Sequence, residues 1–347
     1  MKKTYFLSLL MLVTIITVGF YTLKIQQLKG SNSTEHFIET HFLNESGTIA
    51  TYIREEPGYV EEDWAARGQE ALSESTGLYL SYLLLTMNRS EFKAQVDILK
   101  KHFLNEEGFI YWKVGAQGEK ISSSNALIDD LRIMKTLYFA SETFSNKTYY
   151  ELAERIKDFI IHNQINQGYL VSFYEQDYNL ASNEIMLSYI DLEALDYFPR
   201  EITKKLETLL LEHENSIFYP QRFNVTTSEF IWNEEVHLVD QILIAQQLQL
   251  LNGNVEPFVD FIRESFKKDG RIYGKYDRIS QNPTVEYEST AVYGLLISFF
   301  MSIDKEFSRE LYERLIQFKN EDGGYTVGEN AHFFDNILPL LAESLLH

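Results

Sequence analysis

Six acids or amides recur along the chain: Glu74, Asp130, Asn183, Glu234, Glu288 and Asn330, separated by 56, 53, 51, 54 and 42 residues. Each stands where a polar loop gives way to an apolar run. Any one of them alone fits the first turn of a helix, where free N–H groups and the helix dipole favour carboxylates and amides. If the six runs close into a ring, however, all six helix starts meet at one end and line an acidic bowl. Carboxylates and amides gathered in one cleft suit sugar hydroxyls and general acid–base chemistry. Aromatic residues crowd the same junctions, at Trp64, Tyr79, Tyr111, Trp112, Tyr169, Tyr174, Trp232 and Tyr287. Their flat faces can stack on sugars, although such rings also fill cores and rims.

Composition narrows the chemistry. The 347 residues carry 51 Asp and Glu against 31 Lys and Arg, a net charge of −20, with no basic stripe. Such a surface repels a phosphate backbone, so nucleic acid is excluded as a partner. The chain has no cysteine, which removes disulfides, thiolate zinc sites and thiol nucleophiles together. His41, His102, His162 and His213 fall at no ligand spacing and no H-E-x-x-H occurs, so neither a metal nor another cofactor is expected. The run NEDGG at 320–324 lacks the alternating ligands of a calcium loop and reads as a turn.

The elements that must position these groups are written in a repeat. The heptapeptide HFLNESG at 41–47 returns at 102–108 as HFLNEEG, each followed by a short hydrophobic and aromatic run. Weaker copies of the turn stand at 166–169, 215–218, 269–272 and 322–325, making six units of about fifty to sixty residues. Within a unit the turn leads through a loop into an apolar run, then into an amphipathic one. The apolar runs are 75–85, 126–140, 185–197, 236–251, 289–301 and 333–346; the amphipathic ones include 91–103, 149–162, 201–211, 255–266 and 305–318. Buried helices ringed by amphipathic helices make an all-α (α/α)6 barrel, with an irregular helical solenoid as the alternative.

Lys2 and Lys3 precede an uncharged apolar stretch, 4–23, long enough to span about 30 Å of hydrocarbon as a helix. No small-residue cleavage site follows, which favours an uncleaved anchor over a signal peptide. The lysines keep the amino terminus inside and place the rest outside. The expected layout is an anchor or signal peptide over 1–29 and one catalytic domain over 30–347. Setting aside the four lysines of 1–29 leaves that domain at −24.

The segment 73–79, SESTGLY, resembles the S-E-G-x-G-Y-G signature of glycoside hydrolase family 8, and NALIDDLRIMKTL at 125–137 is similar to that family's A-x-D-A-D-L-x-I-A-x-x-L. GFIYWKV at 108–114 matches the turn and Trp that precede the second signature. The resemblance implies an (α/α)6 barrel, Glu74 as general acid and Asp130 as the group that binds the sugar beside the scissile bond. It also implies a base in the D-A-x-R region, which here reads WNEEVH at 232–237; the candidates in order are Glu234, Glu235 and Asp240. Trp64, Tyr79, Trp112, Tyr174, Asn183, Trp232, Glu235 and Tyr287 are the expected substrate contacts. An inverting pair stands about 6.5 to 9.5 Å apart with water between, and Leu72 and Leu78 beside Glu74 would desolvate it and raise its pKa. Within the family the chain most resembles membrane-anchored bacterial exopolysaccharide hydrolases of the Listeria type. This implies a polysaccharide substrate, β-1,4-linked and neutral or aminosugar in kind, with endo action and a synthase complex and membrane as partners. The alternatives are a catalytically silent polysaccharide-binding subunit of such a synthase, or another (α/α)6 enzyme such as a uronide hydrolase or lyase. A negative domain argues against an anionic uronide.

Overall fold

The computed structural model describes residues 33–54, 66–327 and 329–346. The apolar 4–23 stretch and Trp64 lie outside the described residues, and no described helix is long and apolar enough to cross a membrane.

The chain is all-α, as its patterning predicts. The longer apolar runs fold as α2 (Ser73–Leu85), α4 (Leu127–Thr143), α8 (Leu238–Leu250), α10 (Thr290–Phe300) and α12 (Phe334–Leu346). The amphipathic runs form α3 (Arg89–Ile98), continued by a π-helical turn at Leu99–Phe103, α5 (Lys147–Asn163), α7 (Arg200–Leu211), α9 (Glu256–Asp269) and α11 (Lys305–Leu315). A sixth outer helix, α1 (Ser33–His41), precedes the first turn. In α10 nearly every side chain is buried and in α2 most are, whereas α7 and α11 bury one stripe only.

One run departs from its pattern. Residues 185–197 begin as an extended segment, Glu184–Met186, pass through a 3-10 turn, Leu187–Tyr189, and end in the single turn α6 (Leu192–Leu195). Asp191 is the cause: its side chain accepts the Ala194 N–H and restarts the helix. Glu184–Met186 meanwhile pairs with Arg222–Asn224. An apolar run of this length does not distinguish buried strand from buried helix.

The apolar elements pack in order, α2 on α4, α4 on α6 and its 3-10 turn, that turn on α8, α8 on α10 and α10 on α12; α12 then returns to α2 and closes the ring. Helices α3, α5, α7 and α11 lie outside their neighbours, and α1 covers α12. Helix α9 seats Phe258 against Phe299 of α10, with ring centroids 6.0 Å apart.

The repeated turns are physically alike. Asn44 N–H bonds Thr48 O, Asn105 N–H bonds Phe109 O and Asn320 N–H bonds Gly324 O, each around a glycine of positive φ at 47, 108 and 323. At Gly108, φ is +105° and a Cβ would fall 2.3 Å from the Arg155 carbonyl on the outer layer. Only glycine combines that backbone with that approach. Each turn thereby fixes where its loop enters the ring and where the next helix start is delivered.

Candidate active site

Glu74 is the second residue of α2 and lies partly buried. Its side chain makes no hydrogen bond among the described residues and caps nothing. Burial pushes its carboxyl up to about 7, Asp129 and Asp335 push the same way, and Arg132 and His332 oppose them. A carboxyl so placed keeps its proton near neutral pH, which is what a general acid requires.

The surrounding groups come from four elements. Asp129, in the first turn of α4, accepts from Ser73 Oγ at 2.8 Å and from Arg132 Nη1 at 2.9 Å. His332 stacks on Tyr52, with centroids 4.7 Å apart, and its Nδ1 lies 3.5 Å from Asp335 of α12. Asp335 is partly buried, which would raise its carboxyl, yet His332, Ser289 Oγ and the Ala291 N–H hold it below the usual range. Tyr189, at the end of the 3-10 turn, has its phenol pKa raised by burial and then by Asp129, Glu74 and Asp240. It therefore stands in the field of all three carboxyls. Asp240, in the first turn of α8, is raised by burial, with the Ser188 hydroxyl and His237 acting against that. A cavity of about 530 Å³ opens beside this group, lined among others by Tyr52, His237, Tyr287, Asn330, His332 and Asp335.

The expected acidic bowl is charge-balanced instead. Five helix starts carry a carboxylate with its own cation, Glu70 with Lys113 at 3.3 Å, Asp129 with Arg132, Glu184 with Arg222 at 2.7 Å, Glu235 with Lys275 at 2.8 Å and Glu288 with Arg314, and at the sixth Asp335 lies beside His332. Among the described residues buried Asp130 and partly buried Glu74 and Asp240 are acids at these positions without an ion pair. Pairing is the cheaper way to place several carboxylates in one desolvated ring.

Several expected contacts lie elsewhere. Asp130 is 1% exposed and points to the outer layer, where Asn125 Nδ2 donates to it at 2.6 Å and itself also donates to Gln164 at the end of α5. A helix turns about 100° per residue, so Asp129 and not Asp130 faces Glu74. Burial raises the Asp130 carboxyl well above its ordinary range, and its second oxygen has no partner. The folded state thus favours protonated Asp130, and that stabilisation is lost as pH rises above the unfolded value. Asp130→Asn should keep activity within a few-fold and flatten the loss of melting temperature as pH rises above the ordinary carboxyl range; a collapse in activity would return Asp130 to the cleft.

Glu234 is exposed and shows its backbone, not its side chain, to Arg278. Glu235 is held below the usual range by Lys275. Tyr79 is 1% exposed and stacks on Tyr82 in the core, because α2 is buried on that side too. Tyr174 packs its ring against Phe109 and Phe159 and bonds Asn179, outside the ring of helix starts. Asn183 is exposed, and its carbonyl accepts the Val225 N–H. The backbone of Trp112 runs beside the acid, its carbonyl accepting the Ser73 N–H at 2.9 Å. Tyr287 lines the cavity, 51% exposed and resting on Gly274. Trp232 stands edge-on to His213 beneath the Arg278 guanidinium.

Asp129, Arg132, Tyr189, His332 and Asp335 went unseen in the sequence. The i,i+3 spacing of Asp129 with Arg132 and of His332 with Asp335 was their available signal; Tyr189 sat in a run that read as plain helix.

The ring and its depth have parallels of known structure. Endoglucanase Cel10 of Klebsiella pneumoniae, a family 8 glycosyl hydrolase, shares the fold at a TM-score of 0.65 over 90% of this chain and 98% of its own, with 12% identity. PssZ of Listeria monocytogenes superposes at 0.77 with 26% identity, covering 91% and 96%. An alpha-amylase from Clostridium perfringens does so at 0.78, also with 26% identity, covering 90% and 95%. The ring of helices is therefore a fold that this chain shares with a family 8 glycosyl hydrolase. No family model matches the sequence. The putative lipoprotein YdaJ of Bacillus subtilis is 31% identical over 327 residues, 90% of this chain and 86% of its own. The chain belongs to the family of YdaJ.

Proposed function

We propose that the protein is an extracellular, endo-acting hydrolase of a β-1,4-linked bacterial exopolysaccharide, working by inversion on an (α/α)6 barrel over 30–347. The observation that carries this reading is Glu74, a partly buried carboxyl with no hydrogen bond of its own among the described residues and a pKa near 7, in a cleft of paired charges. Glu74 protonates the glycosidic oxygen. Asp240 takes the place of the base: it lies in the first turn of α8, it lacks an ion pair among the described residues, and like Glu74 it acts on the Tyr189 phenol. With Tyr189 in the field of both, the acid and the base stand on separate elements, as a reaction with sugar and water between them requires. Trp112 and Tyr287 supply stacking faces along the cleft.

Charge balance at the helix starts favours an uncharged chain, either neutral sugars or aminosugars whose nitrogen bears no charge. The segment 1–29 tethers the domain to the outer face of the cell membrane, beside the synthase that exports the polymer. The sequence holds no cysteine and so no thiol for an S-linked lipid, which leaves the apolar stretch as the tether.

The test is reducing-end release by the 30–347 protein from the organism's exopolysaccharide, β-1,4-glucan, starch, chitosan and xylan. Cleavage of an uncharged β-linked polymer with a rapid fall in viscosity is the expected result. Release of reducing ends without that fall would remove endo action; cleavage of starch alone would overturn the linkage. Binding without any cleavage would hand the role to a silent binding subunit.

A further inference from the structure

Ser73 and Glu74 are adjacent, and everything that fixes Ser73 fixes the acid. The Ser73 N–H bonds the Trp112 carbonyl at 2.9 Å, and its Oγ donates to Asp129 Oδ2 at 2.8 Å. The other oxygen of Asp129 receives Arg132 Nη1 at 2.9 Å, and both side chains are buried, 5% and 15% exposed. Arg132 runs across α2 at Gly77, where a Cβ would lie 3.3 Å from its Cδ. The guanidinium and the carboxylate therefore stand against the same turn of α2 that carries Glu74.

We infer that the Asp129–Arg132 ion pair is a positioning device for Glu74, anchoring its turn through Ser73 and balancing opposite charges on its carboxyl. This rests on the reading of Glu74 as the general acid. Asp129 makes ionisation of Glu74 harder and Arg132 makes it easier. Intact, the pair leaves burial as the main influence; broken, either member acts alone in a water-poor site, where one nearby charge is worth about one pKa unit or more. The other charged and titratable groups facing Glu74 are His332 and Asp335 at the start of α12; Tyr189 on the 3-10 turn and Asp240 with His237 at the start of α8 complete the surroundings. Those groups are common to all the variants below.

The experiment is the pH profile of kcat/KM on soluble polymer for the 30–347 protein carrying Asp129→Asn, Arg132→Gln or Arg132→Lys, beside wild type and Glu74→Gln. Asp129→Asn leaves Arg132 unopposed and should move the alkaline limb down by about one unit. Arg132→Gln leaves Asp129 unopposed and should move it up by about as much, while Arg132→Lys keeps the wild-type limb. A purely structural pair would scale the whole profile and leave the limb in place, which overturns the inference. So would shifts in the same direction. If Asp129→Asn does not fold, the two Arg132 variants still decide. Glu74→Gln separates the two claims: an active Glu74→Gln defeats the acid reading, whereas an inactive one with unmoved limbs defeats only the role of the pair.

Discussion

Glu74→Gln is expected to lower polymer cleavage by about 10² to 10⁴-fold, the usual contribution of a positioned general acid, and to make the protein more stable at pH 8. The two effects share one cause. Folding raises the carboxyl from an ordinary value near 4.5 to about 7. The folded state therefore favours the proton. Its contribution to stability is whole below about pH 4.5 and is lost as pH rises through 7. Glutamine keeps the shape and has no proton to lose. At pH 8 it should gain at most about 3 kcal/mol, an upper bound because the carboxyl still reaches water, and at pH 4 it should gain nothing. Calorimetry at the two pH values, paired with reducing-end assays, checks both. Retained cleavage, or equal gains at both pH values, would contradict the assignment.

Asp240→Asn should cost a comparable 10² to 10⁴-fold, while Glu234→Gln and Glu235→Gln stay within a few-fold of wild type. A base must be ionised, so activity should rise as Asp240 gives up its proton and fall again as Glu74 gives up its own near 7, a bell whose acid side belongs to Asp240. Losing that acid limb in Glu234→Gln instead would restore the base to the exposed loop. Asp240 is the stronger candidate because it sits on the helix and inward, where burial can act on it, whereas Glu235 is already neutralised by Lys275.

Much of the ring was legible because it repeats. The turn written around Gly47 and Gly108 recurs with the same Asn to carbonyl bond, and apolar runs too rich to face water could only be inner helices. The third run escaped because hydrophobicity alone does not show that Asp191 restarts the chain. At the site, Glu74 was readable from its local motif. Which of two adjacent acids faces it was not, since Asp129 and Asp130 differ only by the 100° between neighbours on a helix. The balance of charge was invisible for a related reason. Glu70 meets Lys113 and Glu288 meets Arg314 across separate elements, and net charge does not record who stands beside whom.

The contact of α12 with α2 ties the beginning of the ring to its end, and α1 is clasped there by Thr34 Oγ1 donating to the Gly323 carbonyl at 2.9 Å. His332 and Asp335, the last unit's contribution, stand in the field of a glutamate from the first. Site assembly and ring closure are thus one event. A nascent chain, delivered from its amino end, therefore does not complete the surroundings of Glu74 until α12 arrives.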